Sequence, residues 1–118
     1  MVADDLRLHL GPRKIGVSVE LLLNRQKQLI SVRDLSRGAV AENKLYIREI
    51  VKLALDEYAD SLIIAHNHPG GSPEPSHADI AFTGRLAQAI SLGDVSLPDH
   101  FIVTYRSVVA FSQLGLLP

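Results

Sequence analysis

Apolar and polar residues trade places along the chain with two different periods, and the switches between them mark the elements. Ile15, Val17, Val19, Leu21 and Leu23 alternate with Gly16, Ser18, Glu20 and Leu22, the period of a half-buried strand. Asn24-Arg25-Gln26-Lys27 then turns, Gln28 to Arg33 reads as the hairpin partner, and Asp34 to Asn43, with Gly38 and little periodicity, reads as a loop. From Lys44 to Ala59 the period lengthens. Ile47, Ile50, Val51, Ala54 and Tyr58 form a helical stripe, with Arg48, Lys52 and Asp56 opposite. Ser61 to Ala65 is a short buried strand, after which Pro69, Gly70, Gly71, Pro73 and Pro75 forbid regular structure. Ser76 opens a second helix that turns Ile80, Leu86, Ala87 and Ile90 to the core and ends at Gly93. Inside it Gly84, worse than alanine in a helix by about 1 kcal/mol, suggests close packing on a neighbour. Phe101 to Tyr105 and Val108 to Phe111 form a terminal hairpin around Arg106-Ser107. Met1 to Gly11 suits a short helix ended by Gly11-Pro12, although Leu6, Leu8 and Leu10 alternate.

The order β-β-α-β-α-β-β, with no internal repeat or linker, predicts one mixed β-sheet flanked by helices, an α/β sandwich. At 118 residues, 47% hydrophobic, the chain suits one domain with its own core and is too short for two. It has no cysteine, so disulfides and thiolate metal sites are excluded, and the absence fits a reducing, cytoplasmic setting. No apolar run approaches the roughly 20 residues of a membrane span, and Met1 to Leu10 is acidic where a signal peptide is basic. A formal net charge of -1 gives no electrostatic footprint for duplex DNA, so nucleic acid is an unlikely partner.

The candidate chemistry lies in His66-Asn67-His68-Pro69-Gly70-Gly71, followed by Ser76 and Asp79. Two histidines at a strand end, two residues apart, point to the same side and can grip one ion. Asp79 falls in the first turn of the following helix. Two imidazoles and one carboxylate leave a fourth tetrahedral position open, the arrangement of catalytic rather than structural zinc. Ser76-x-x-Asp79 also reads as a helix cap. The roles are compatible, because a carboxylate has two oxygens.

The run His66-Asn67-His68, a seven-residue spacer from Pro69 to Pro75, Ser76, two residues and then Asp79 resembles the JAMM motif of the MPN/JAB metalloproteases. Arg37-Gly38, Arg48-Glu49, His66 to Gly71, Pro75-Ser76 and Asp99-His100 together resemble its RadC-like branch, over about residue 14 to 117. The resemblance implies a three-layer sandwich like that of the cytidine deaminases, spanning residues 1–118 as a single domain without the helix-hairpin-helix part that usually precedes it. It also implies one zinc ion held by His66, His68 and Asp79, with Ser76 assisting the oxyanion as a metal-bound water attacks a peptide or isopeptide carbonyl.

The family places its general-base glutamate on the first strand, and an ungapped match puts Gly16 there. Glu20 is on the same strand face but roughly 13 Å farther along at about 3.3 Å per residue. It reaches the zinc only through a shifted register, and otherwise it is a solvent-facing or paired strand residue, as Glu42 and Glu49 belong to a loop and a helix surface. The expected function is therefore a zinc-dependent metallopeptidase. The alternative is a weakly active or non-catalytic zinc-binding module, and a DNA-repair role, suggested by the RadC name, ranks lowest. His77 reads as an exposed helix residue, Asp99-His100 as a buried pair fixing a strand, and His9 carries no signal.

Overall fold

The computed structural model describes residues 6–8, 10–11, 17–35 and 43–118, with side chains from 47 onward in the last segment. Its elements are β1 (Ser18–Leu23), β2 (Leu29–Asp34), α1 (Asn43–Asp56), β3 (Ser61–Asn67), α2 (His77–Ser91), β4 (Ser96–Val103), β5 (Val108–Ala110) and the single turn α3 (Phe111–Leu114). The strands form one sheet in the order β2-β1-β3-β4-β5. β3 and β4 are parallel, joined through α2, and the other neighbours are antiparallel. This is the mixed α/β sheet that the apolar periodicity predicts.

Around β1 and β3 both faces of the sheet are covered, while the edge strand β2 is largely exposed. One face carries α1 and α2, with Leu22, Leu62 and Ile64 meeting Ile47, Ile50, Leu86 and Ile90. The other meets the helical residues Leu6 and Leu10 through Val19, Leu21, Ala65 and Val103. β1 is therefore a central strand, and Val19 to Leu22 are all buried. This corrects the half-buried expectation. Alternation alone implies one wet and one dry face, but a strand paired on both edges and packed on both faces leaves no polar face.

Other local expectations change: the strand expected over Phe101 to Tyr105 runs from Ser96 to Val103, and Phe111 leaves β5 to open α3. β3 continues past Ala65 to Asn67, because Asn67 clamps the entry of β1: its side-chain oxygen accepts from the Val17 N–H at 2.7 Å, and its own N–H donates to the Val17 carbonyl at 3.2 Å. Tyr58 is not on the α1 stripe. The helix ends at Asp56, and Tyr58, in a left-handed turn at φ 54°, is 90% exposed. A Cβ built on Gly84 meets nothing within 4 Å, so Gly84 serves no close contact. Gly16, Arg37-Gly38, Glu42 and His9 lie outside the described residues. Among the described residues no helix is long and apolar enough to cross a membrane.

Candidate metal centre

The end of β3, the bend after it and the start of α2 meet at one place. His66 sits in β3, and the His68 N–H still donates to the Val103 carbonyl of β4 at 3.0 Å, so both imidazoles project from strand-like backbone on one side. The chain then turns at Pro69-Gly70. The Gly71 N–H closes that turn on the His68 carbonyl at 3.0 Å, and Gly71 takes φ +87°, where a β-carbon is strained. The proline-rich segment delivers Ser76 as the N-cap of α2. Its hydroxyl oxygen accepts from the Asp79 N–H at 3.0 Å, and its own N–H donates to Asp79 Oδ2 at 2.9 Å. This capping box locks the carboxylate against the two imidazoles.

His66 Nε2 is 3.0 Å from His68 Nε2 and 3.4 Å from Asp79 Oδ1, and His68 Nε2 is 3.2 Å from Asp79 Oδ2. Tetrahedral ligands bonded to zinc at about 2.0–2.1 Å stand about 3.3 Å apart, so the spacing suits a small divalent cation. The three residues form a group of potential metal ligands among the described residues. Their donor chemistry fits as well. His68 Nδ1 is 2.8 Å from the Ser72 carbonyl, and because a carbonyl only accepts, the ring hydrogen is on Nδ1 and Nε2 presents a lone pair to the cluster. Lone pairs packed this tightly suit a cation placed among them. Burial by itself would push the Asp79 carboxyl up, but the neighbouring His66 imidazole and the bond from the Ser76 backbone outweigh it and hold the group well below the usual carboxylate range. The three side chains are 14–23% exposed, so one side of the cluster faces solvent.

Behind the cluster lies a residue that sequence reasoning assigned otherwise. His100 is 1% exposed, and its ring contacts His66 rather than Asp99. Asp99 instead accepts from the His100 backbone N–H at 2.9 Å and from the Ser112 backbone N–H at 3.0 Å. Strand alternation sends the two side chains to opposite faces. Burial pushes the His100 imidazole down to about 3, with the charge of His66 adding to the effect. Thr83, also buried, was missed because a threonine in a helix carries no motif. The signal that existed was the helical spacing from Asp79 to Thr83, one turn apart. His77 is exposed at the start of α2.

Glu20 is placed elsewhere. Ser18, not Glu20, pairs with His66, while Glu20 pairs with Ile64 on the same face. Its carboxylate is not in the ligand group. Nor is it solvent-facing or paired: it is fully buried, and among the described residues neither oxygen has a hydrogen-bond partner. Burial, followed by the like charges of Glu49 and Glu57 and partly offset by Arg33, pushes its carboxyl up to about 8. The physical reason is again the double covering of β1, which leaves no route from this position to water.

The RadC-like JAB domain model matches residues 1–116. A UPF0758 protein of Neisseria meningitidis serogroup B is 78% identical over 117 residues, covering 99% of this chain and 52% of the relative. UPF0758 proteins of Thiobacillus denitrificans and Chromobacterium violaceum are 44% and 42% identical over 116 residues, with 98% of this chain and 52% of each relative covered. The chain thus spans about half the length of these curated relatives. With its sheet, its capped ligand loop and its family match in agreement, this chain belongs to the RadC-like JAB domain family.

Proposed function

We propose that this domain is a zinc-dependent JAMM-type amide hydrolase, holding one zinc ion per chain through His66, His68 and Asp79 and acting on a peptide or isopeptide bond. The observation that carries this reading is the spacing of three ligand atoms from a strand end, a bend and a helix start at 3.0–3.4 Å, with one side open. A zinc ion held by His66, His68 and Asp79 would supply a Lewis acid and would lower the pKa of a bound water. The chain supplies the rest. The capping box holds Asp79 in a single orientation, so little reorganisation accompanies ligation. The Ser76 hydroxyl accepts one bond and still has its hydrogen to donate, which suits it to a carbonyl oxygen gaining negative charge. The absence of cysteine fits work in the cytoplasm.

A second reading, a zinc-binding module with little or no catalysis, is favoured by the acid that the chemistry asks for. Position 16 is glycine, and the Glu20 carboxylate lies amid Glu49, Glu57 and Arg33. The DNA-repair reading ranks below both, since a net charge of -1 gives little attraction to phosphate. One pair of measurements separates the first two. Metal analysis of purified protein should find close to one zinc per chain. Gly16→Glu should then raise amide hydrolysis by about 10²–10⁴, the usual worth of a positioned general base. Amide hydrolysis by the unmodified zinc-loaded protein decides for the hydrolase and its absence for the scaffold, while a zinc-loaded Gly16→Glu protein with no gain in rate counts against placing Gly16 at the general-base position.

A further inference from the structure

His66 Nδ1 lies 2.7 Å from His100 Nε2, His100 Nδ1 lies 2.6 Å from the Thr83 hydroxyl, and that hydroxyl donates to the Asp79 carbonyl at 2.8 Å. The direction of every bond follows from counting hydrogens. A backbone carbonyl only accepts, so the single hydroxyl hydrogen of Thr83 goes to Asp79. His100 must then donate from Nδ1 to the Thr83 oxygen. His100 is buried, its ring stacked on Phe111 with centroids 4.5 Å apart, and its Nδ1 faces a hydroxyl rather than a carboxylate. A neutral ring that donates from Nδ1 has its lone pair on Nε2. His66 donates into it from Nδ1, which leaves Nε2 of His66 bare on the side of His68 and Asp79.

We propose that Thr83 and His100 are positioning residues that hold His66 in its Nδ1–H tautomer and aim Nε2 at the cation site. The proposal rests on the reading of the cluster as a metal centre. It also closes a loop. The chain of bonds begins at the backbone of one ligand, Asp79, and ends on the ring of another, His66, tying α2 to β3 through β4. His68 obtains the same tautomer from the Ser72 carbonyl, so two unrelated partners set the two rings alike.

The test uses the full chain labelled with ¹⁵N, zinc-free, at a pH above the ordinary imidazole range. His66 should show a protonated Nδ1 and a bare Nε2. Zinc affinity, measured by competition with a chromophoric chelator, should fall roughly 10–100-fold in His100→Phe, the usual range for loss of an outer-sphere partner. Thr83→Val, which keeps the shape and removes the hydroxyl, should admit the other tautomer of His66 and weaken zinc in the same direction. His100→Gln restores an acceptor for His66 and should recover most of the lost affinity. An Nε2–H tautomer in the unmodified protein overturns the proposal. So does wild-type affinity in folded His100→Phe and Thr83→Val, and Thr83→Val decides alone if the larger change prevents folding. An unmodified protein that shows the Nδ1–H tautomer yet takes up no zinc removes the metal reading and leaves the relay standing.

Discussion

Two groups of polar side chains are buried on the same face of this sheet, two residues apart along β1, and they are built in opposite ways. Around His66 and His68 the bonds run in sequence, from the Asp79 carbonyl through Thr83 and His100 to the His66 ring, and from the Ser72 carbonyl to the His68 ring. Around Glu20 nothing closes: its two carboxylate oxygens have no hydrogen-bond partner among the described residues, and the nearest charges are mostly of its own sign. A buried polar network with every member satisfied specifies a geometry, whereas an unsatisfied group subtracts stability. The first region therefore holds its side chains in one fixed arrangement. The second shows that a glutamate on the correct strand and face is not thereby part of a site.

The sharpest break between the two regions is in metal binding. His68→Ala and Asp79→Ala should each abolish the one-per-chain zinc content, measured by elemental analysis after gel filtration, while Glu20→Leu should leave it unchanged. Zinc retained by both ligand variants would refute the assignment. Stability should separate the regions next. Glu20→Leu removes an unsatisfied buried acid at similar volume and should stabilise the fold by about 1–3 kcal/mol, seen as a rise of several degrees in Tm of the zinc-free protein. A fall would mean that the carboxyl has a partner after all.

The pH dependence sharpens the same contrast. Glu20 has a folded value of about 8 against an ordinary value of 4.5, so the unfolded chain releases its proton first. Its contribution is harmless below pH 4.5 and grows unfavourable up to about pH 8, so stability from this group declines as pH rises through that window. Asp79 has the opposite sign. Its lowered value adds stability that is lost as the solution becomes acidic enough to protonate it. In denaturant titrations Glu20→Gln should flatten the decline on the alkaline side and leave the acid limb in place. The smallest effects belong to α2. Ser76→Ala should cost about 1 kcal/mol through the lost cap, and Gly84→Ala, with open space around the new methyl, should return up to about 1 kcal/mol. Thermal melts of the two variants and of their combination would check both signs.

The local features of this chain were legible without the fold. Proline and glycine at 69, 70, 71, 73 and 75 require a bend whatever surrounds them, and Ser76-x-x-Asp79 specifies its own cap within one turn. The spacing of His66, His68 and Asp79 brings three potential ligands together because it depends on one strand end and one helix start. Apolar periodicity likewise indicated the element order, since period follows from backbone geometry alone. What only the tertiary structure decided was everything that depends on a neighbour distant in sequence. That β1 is central, and Glu20 therefore sealed from water, follows from pairing with both β2 and β3. That His100 serves His66 follows from the parallel register of β4 on β3 and from where α2 lays Thr83. Burial and hydrogen-bond partnership are properties of the packed sheet, and a periodicity read along one strand cannot report how many sides of that strand are covered.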